Sequence, residues 1–416
     1  MATNISCSMV GMGALFSTFL AASPVFAGTF YCDNDRSASQ YPNCSTPGAP
    51  GWVYGGGSGD RNGDHRRQTS GQEVYYWDFN GVDGRKFELR VYLNNSLFTD
   101  PAARYYRKVG FNIDGIGNLN QNTAPGGWSY IGVQTVLSSS MSIGVNAYNV
   151  PPQGVTGADE IWVYSVASLA ATDIHDDAGL CASAVVADPK ILSLQQKMLD
   201  ATDHYRDVKG SFDIAFSNNG QNERVDFTVS EPLRSSSVRI TDQKGGVVEH
   251  VSNGRNGQIR YPETSSFETG SLAPVERPVG PRQFFTNSCE PVYVHRQDPA
   301  WAGVAEEVTS PQNYAFWLTT GHAKIAGSER LLGRTVTVVE GLHDAYLSTK
   351  LGAASFKMWV DDETGVLLKL VGTKVDGTVA YSIDVTNIQF NRGVDAKAFD
   401  MDAPAGWKNL SLRTKQ

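Results

Sequence analysis

The chain has 416 residues, of which 41% are hydrophobic, so it is long enough for two or three domains with cores of their own. Its formal net charge is −8, and the sequence contains no dense run of lysine and arginine. Because a polyanion binds to a basic surface, nucleic acid is not expected as a partner.

The N-terminus carries an apolar run over residues 9–22, which is followed by Val25-Phe26-Ala27. Such a run is too short to span a bilayer comfortably, and a small residue after it is typical of a cleavage site. We therefore expect a signal peptide over residues 1–27 and a mature protein outside the cytoplasm, either periplasmic or at the cell surface.

Four cysteines follow this leader, an even number that suits an oxidising compartment. Three pairings are possible. We favour Cys32–Cys44, which would close a loop that has little core, together with Cys181–Cys289, which would tie the interdomain segment to the second half. No Cys-x-x-Cys pair occurs, so zinc is not expected.

From residue 73 onwards the pattern is typical of strands with glycine-marked turns. Apolar and polar residues alternate strictly in KFELRVYL, as they do in a strand with one buried face. Short runs of this kind recur at regular spacing and predict a β-sandwich or jelly roll over residues 28–166. The runs are EVYYWDF, KFELRVYL, RYYRKVGFNI, GWSYIGVQTV, MSIGVNAY and DEIWVYSV.

Three segments of this half are similar to golvesin-type modules, the carbohydrate-binding-like sandwiches of bacterial surface proteins. They are WDFNGVDGRKFELRVYLNNSLFTDPAARY, NQNTAPGGWSYIG and GADEIWVYSV, within about residues 50–166. The resemblance implies the sandwich fold and a docking role on cell-wall glycan. We expect Trp128, beside two glycines, to be exposed for a glycan, whereas Trp77 and Trp162 lie in alternating strands and are expected in the core.

Residues 167–187 are small and polar, and we interpret them as a linker. Asp188 as N-cap and Pro189 at the first helical position then favour a helix start. Apolar residues continue at spacings of three and four, which predicts an amphipathic helix over 189–209 that ends at Gly210. These residues are Ile191, Leu194, Met198, Ala201, Tyr205 and Val208.

The second half otherwise shows a strand pattern. SFDIAFSN, NERVDFTVS, SSVRITDQ, GVVEHVSN and GQIRYPE are predicted strands, and so are NYAFWLTTG and GRTVTVVEGL. Between these two groups, residues 271–312 have many prolines and no period, and we interpret them as an insertion. One helix followed by antiparallel strands predicts an α+β unit over residues 188–410.

The stretch Phe356–Phe390 predicts a three-stranded antiparallel meander with turns at Asp361–Gly365 and at the Asp-Gly pair 376–377. Its alternation breaks near Thr386-Asn387, where we expect a bulge that curls the sheet. Because an antiparallel sheet with one apolar face must be covered, we expect the helix at 189–209 to lie on it.

This half resembles the LolA-like superfamily, which contains periplasmic lipoprotein carriers and MucB/RseB-type regulators of anti-sigma factors. The likeness covers about residues 188–408, and its most specific part is the W-x-D-x-x-T-G turn at Trp359, Asp361, Thr364 and Gly365. The resemblance implies a half-open barrel whose cavity receives acyl chains in relatives. The residues expected to line such a cavity, or else to form ordinary core beneath the helix, are Met198, Tyr205, Met358, Leu368, Leu370, Tyr381 and Ile383.

No nucleophile–base pair and no two-carboxylate site can be identified from the sequence. The acidic clusters Asp60–Asp64 and Asp173–Asp177 lack the spacing of a calcium loop or a second set of ligands. We therefore expect neither enzyme activity, nor a cofactor, nor a metal.

Taken together, these patterns predict a mainly β (α+β) protein. An N-terminal β-sandwich is followed by a half-open antiparallel β-barrel that an amphipathic helix covers. The expected function is that of a non-catalytic cell-envelope protein binding a lipid or a lipoprotein acyl chain. The alternatives are an RseB-like sensor that binds a membrane anti-sigma factor and a surface carbohydrate-binding protein.

Overall fold

The computed structural model describes residues 29–34, 43–57, 59–69, 73–82, 85–136, 138–147, 154–165, 174–175, 188–275, 280–286, 288–320 and 322–411. The expected signal peptide at 1–27, Cys181 and most of the expected linker at 167–187 lie outside these residues.

Strands dominate the first half of the described chain. They are β1 (Thr29–Cys32), β2 (Cys44–Ser45), β3 (Val53–Gly55), β4 (His65–Gln68), β5 (Tyr75–Asn80), β6 (Arg85–Leu93), β7 (Ala103–Val109), β8 (Asn112–Leu119), β9 (Gly127–Val136), β10 (Ser140–Asn146), β11 (Thr156–Ala158), β12 (Ile161–Ser165) and β13 (Ile174–His175). The run RYYRKVGFNI, predicted as one strand, is a hairpin of β7 and β8. The chain reverses at Gly110, whose φ of 58° suits glycine.

The second half begins with α1 (Pro189–Leu199) and continues with β14 (Asp207–Phe216), β15 (Gln221–Ser230), β16 (Ser235–Asp242), β17 (Val247–Ser252), β18 (Asn256–Tyr261), β19 (Ser266–Ser271), β20 (Arg282–Thr286) and β21 (Pro291–Val294). The remaining elements are α2 (Glu306–Thr309), α3 (Gln312–Thr320), β22 (His322–Leu331), β23 (Arg334–Leu342), α4 (Ala345–Leu351), β24 (Ser355–Asp361), β25 (Leu367–Thr373), β26 (Val379–Phe390) and β27 (Lys408–Asn409). The protein is mainly β with an α+β second half, as predicted.

Two sheets of the first half pack together as the expected sandwich. One has the order β1-β12-β6-β9-β21-β20-β13 and the other the order β2-β5-β10-β7-β8, while β11, β4 and β3 form a small third sheet. Phe87 and Leu89 of β6 share one core with Trp77 and Phe79 of β5. The opposite face of β6 is also buried, and its side chains Glu88 and Arg90 form an ion pair of 2.7 Å there.

The described residues of the expected insertion at 271–312 form strands and helices that connect the two halves. Its hairpin β20–β21 extends the seven-stranded sheet of the sandwich, since β21 pairs in parallel with β9. Its remainder leads through α2 into α3. This segment therefore belongs to the second half in sequence but contributes two strands to a sheet of the sandwich.

A twelve-stranded sheet forms the second half, in the order β22-β23-β24-β25-β26-β14-β15-β16-β17-β18-β19-β27, and it is antiparallel except where β27 pairs in parallel with β19. The predicted meander is β24–β25–β26. The predicted bulge is confirmed: Ser211 pairs with Asn387 but Phe212 with Val385, which leaves Thr386 as the extra residue. A second shift near Gly372 turns Val379 outward, and Val379 is 58% exposed.

Helix α1 starts as predicted but ends ten residues earlier than expected. The Asp188 side chain accepts a hydrogen bond from the amide of Lys190 at 2.8 Å, and Pro189 opens the helix. After Leu199 the chain forms a 3-10 turn that Arg296 holds through ion pairs to Asp200 and Asp203. Val208, whose spacing suited a helix, instead begins the inward alternation of β14.

A second helix completes the cover of the sheet. NYAFWLTTG was predicted as a strand, but residues up to Thr320 form α3, which packs against α1. The prediction was wrong because α3 is buried on all sides and therefore has no helical period. Its buried side chains are Gln312, Asn313, Tyr314, Ala315, Phe316, Trp317 and Leu318.

The predicted disulfide Cys32–Cys44 is present, with the two Cα atoms 5.7 Å apart. Cys289 is also disulfide-bonded. A disulfide is typical of a protein that folds in an oxidising compartment. No helix among the described residues is long and apolar enough to cross a membrane.

Candidate functional site

The seven residues proposed for an apolar cavity all lie in one continuous core beneath α1 and α3. Each of them is between 0% and 5% exposed. Neighbouring side chains contact them closely: Tyr381 stacks on Phe216 with 5.0 Å between ring centroids and lies 5.9 Å from the ring of Trp317. The structure therefore brings the seven together, and none of them lines any of the cavities described below.

The W-x-D-x-x-T-G turn is the point where α1 docks on the sheet. A Cβ atom at Gly365, whose φ is 77°, would lie 2.3 Å from the carbonyl oxygen of Lys197 in α1. The Nζ of Lys197 in turn donates to the carbonyl of Asp362 at 2.7 Å. The glycine is needed for this close approach as well as for its backbone conformation.

Trp128 was expected to be exposed, but the structure buries it. It is 1% exposed and packs against Trp162 and Tyr92, with ring centroids 5.4 and 5.2 Å away. The reason is β21, which pairs with β9 at this residue and extends the sheet beside it. Trp77 and Trp162 are buried, as predicted.

The face of the twelve-stranded sheet that packs beneath the helices continues beyond them. Side chains of directly opposed residues in antiparallel strands point to the same side. Such a row runs through Phe227, Val238, His250, Ile259 and Glu268 on β15 to β19. The first two belong to the core beneath the helices, whereas the last three line a cleft.

This cleft, which we call the sandwich–sheet cleft, has a volume of about 380 Å³ and lies between β17–β19 and the outer face of the five-stranded sheet. Its sheet wall is formed by His250, Ile259, Glu268 and the glycines Gly257 and Gly270. Its sandwich wall consists of Val74, Tyr76, Arg104, Tyr106, Ile113 and Gly115. Leu272 lies where the walls meet, because it forms a bridge to Gly115.

Two cationic side chains, of which Arg104 lines the cleft, stand close to the aromatic rings of its sandwich wall. The guanidinium of Arg104 lies over Tyr106 and the Nζ of Lys108 over Tyr76, each 5.4 Å from the ring centroid. Burial and the positive charge of Arg104 lower the pKa of His250 to about 3, so this imidazole is neutral. Burial raises the pKa of Glu268, and the charge of Arg104 opposes that rise.

A smaller cavity of about 90 Å³ lies deeper in the seam between the halves, where three carboxyl groups are buried. Burial raises the pKa of Glu306 well above its ordinary value, and it also raises that of its hydrogen-bonded neighbour Asp298. Burial likewise raises the pKa of Glu307, which accepts a bond from Asn120 at 2.9 Å and one from Tyr314. A hydrogen bond between two carboxyl groups requires a proton, so the Asp298–Glu306 pair retains at least one.

The loop between β8 and β9 inserts into the second half and fixes the two halves together. Its carbonyl groups at residues 120, 121 and 123 accept side-chain hydrogen bonds from α3 and α4. The donors are Asn313 at 3.2 Å, Lys350 at 2.8 Å and Trp317 at 2.9 Å, respectively. Part of the run that resembles golvesin-type modules thus forms an interdomain contact in this chain.

No family model matches the sequence. No curated protein matches it either. The chain is similar in structure to the MucA/MucB complex of Pseudomonas aeruginosa, with 14% identity over 51% of this chain and 62% of that chain at a TM-score of 0.31. It is also similar to lipoprotein LppX of Mycobacterium tuberculosis (16% identity, 51% of this chain, 100% of that chain, TM-score 0.30) and to LprF of Mycobacterium bovis (13%, 50%, 96%, 0.29).

At these TM-scores the comparisons assign no activity to the chain. The likeness to golvesin-type modules stays a prediction. Among the described residues, no group of three or more His, Cys, Asp or Glu side chains is arranged to hold a metal ion.

The residues that line the cleft were not recognised from the sequence. One signal was available: Gly257 and Gly270 occupy inward positions of β18 and β19, where core side chains would otherwise stand. The opposing wall lies more than a hundred residues earlier in the chain, so no local pattern connects the two.

Proposed function

We propose that this protein is a non-catalytic binding protein of the cell envelope that holds an apolar chain, such as that of a lipid or lipoprotein, against the concave face of its curved sheet. One observation supports this above the others. The inner face of the sheet is apolar core beneath α1 and α3 as far as β16, and beyond them it continues into a cleft where Ile259 stands between His250 and Glu268.

The resemblance of the sequence to lipoprotein carriers agrees with this proposal. The disulfides agree with an extracytoplasmic location, since they persist in oxidising compartments. A partner-binding role like that of the MucB/RseB-type regulators is the alternative, and docking of the sandwich on glycan would be an additional role.

The experiment is equilibrium binding of 11-(dansylamino)undecanoic acid to the delipidated mature protein. We expect saturable binding with a rise and blue shift of dansyl emission, because the probe leaves water for an apolar site. Dansylglycine, which carries the fluorophore without the chain, is the matched control and should not bind.

Absence of saturable binding would contradict the proposal. A pull-down with such a protein would then favour the regulator alternative if it recovered a membrane anti-sigma factor. Deletion of residues 188–416 should abolish that recovery. Binding of peptidoglycan but not of the dansyl fatty acid would instead favour the remaining alternative, a surface carbohydrate-binding protein.

A further inference from the structure

We infer that the ligand occupies the sandwich–sheet cleft, outside the core beneath α1, and that it is an amphiphile with one acyl chain and a polar head group. This inference rests on the proposed function and names the site and the ligand class for it. Two walls from different halves of the chain form the site.

The first argument is that the cleft has room on the concave face. Gly257 and Gly270 pair across β18 and β19, on the same side as Ile259 and Glu268. A Cβ atom at Gly270 would have no other atom within 4 Å, and one at Gly257 would meet only the side chain of Leu272, at 3.5 Å or more. The volume of about 380 Å³ falls within the range of small-molecule sites.

The second argument concerns the chain of the ligand. Apolar side chains stand on both walls: Val74 and Ile113 on the sandwich, Ile259 on the sheet, and Leu272 at their junction. The row that reaches Ile259 begins in the core at Phe227, so an acyl chain in the cleft would extend the core surface. By contrast, the seven residues beneath the helices belong to one packed core, and none of them lines a described cavity.

The third argument concerns the head group. Arg104 and Glu268 lie in the cleft lining and interact electrostatically, so they offer both a donor and an acceptor to a polar group. A stacked sugar ring is disfavoured, because Arg104 lies over Tyr106 and Lys108 over Tyr76, so a cation already occupies one face of each ring. These contacts favour an acyl amphiphile over a glycan.

The test is a pair of substitutions on opposite walls, measured with the same dansyl fatty acid. Gly270→Trp fills the cleft from the sheet, and Ile113→Arg places a charge on the sandwich wall, where Ile113 is already 48% exposed. Asn222→Trp, at an exposed strand position, is the matched control. Each cleft variant should bind at least roughly tenfold more weakly, since losing the burial of about two methylene groups has that effect.

Because Gly270→Trp risks misfolding, the thermal unfolding of each variant is measured alongside its binding. Ile113→Arg tests the other wall of the cleft independently. Competition with lauric acid and with lysophosphatidylglycerol separates a free fatty acid from a lipid as the source of the chain. Unchanged affinity in both folded variants would overturn the cleft assignment while leaving the proposed function intact. Absence of binding by the wild type would instead contradict the proposed function itself.

Discussion

Asp361 shows how one residue of the family-like turn contributes to stability. It is 1% exposed, and its carboxylate accepts bonds from Arg334 at 2.6 and 2.9 Å and from the amide and hydroxyl of Thr364 at 2.8 and 2.6 Å. Burial by itself would raise the pKa of Asp361, but the bonds from Arg334 and Thr364 outweigh it and hold the pKa below its ordinary value. The motif is therefore a structural device, which agrees with a resemblance of fold and not of chemistry.

Asp361→Asn should lower the free energy of unfolding by about 2–3 kcal/mol at neutral pH, because it removes a charged acceptor from a buried network. A lowered native pKa stabilises the fold above the unfolded pKa of about 4 and ceases to do so as the pH falls through the lower native value. The difference between wild type and variant should thus be constant from pH 7 to about pH 4 and shrink below it. Urea unfolding across this range measures it.

Asp384→Asn is the control for that experiment. Asp384 pairs with Lys369 at 3.4 Å on an exposed surface, so its replacement should change stability by less than about 1 kcal/mol. An Asp361→Asn variant as stable as this control at pH 7 would contradict the role assigned to the turn.

Among the elements, α3 was not predicted as a helix, although it matters most for the contact between the two halves. The start of α1 at Asp188 was predicted correctly because the capping signal is local, whereas α4, which also begins after a capping aspartate, Asp344, was not predicted. The bulge at Thr386 was predicted for the same reason, since a break in alternation is visible in the strand itself. The end of α1 and the identity of α3 depend on tertiary contacts, namely the ion pairs of Arg296 and the complete burial of Tyr314 to Leu318.

Trp317→Phe tests the contact between α3 and the sandwich. The substitution keeps an aromatic ring but removes the indole N–H that donates to the carbonyl of Thr123 at 2.9 Å. A buried carbonyl without a partner costs about 1–3 kcal/mol, so we expect a loss of that size in urea unfolding and faster hydrogen exchange in residues 120–124.

Trp359→Phe is the matched control, because its indole donates to Glu329 at an exposed site. It should change stability within about 0.5 kcal/mol and leave the exchange of residues 120–124 unaltered. Equal effects of both substitutions would show that the loop does not depend on α3.

At the scale of the whole molecule, two separate parts of the chain cover the twelve-stranded sheet. Helices α1 and α3 cover it over the meander and β14–β16, and the sandwich faces it over β17–β19. Of the first cover, only α1 was predicted, from the amphipathic spacing after Pro189. The second was not, because it depends on β20–β21 joining the sandwich and on the loop at 120–124 reaching α3 and α4.

The central claim is that an acyl chain binds between the two halves. Photo-crosslinking with a fatty acid that carries a terminal diazirine, followed by peptide mapping of the delipidated mature protein, tests it most directly. We expect labelled peptides from residues 104–118 and 250–272, the two walls of the cleft. Labelling confined to residues 189–205 and 356–383 would contradict the account and place the ligand beneath α1.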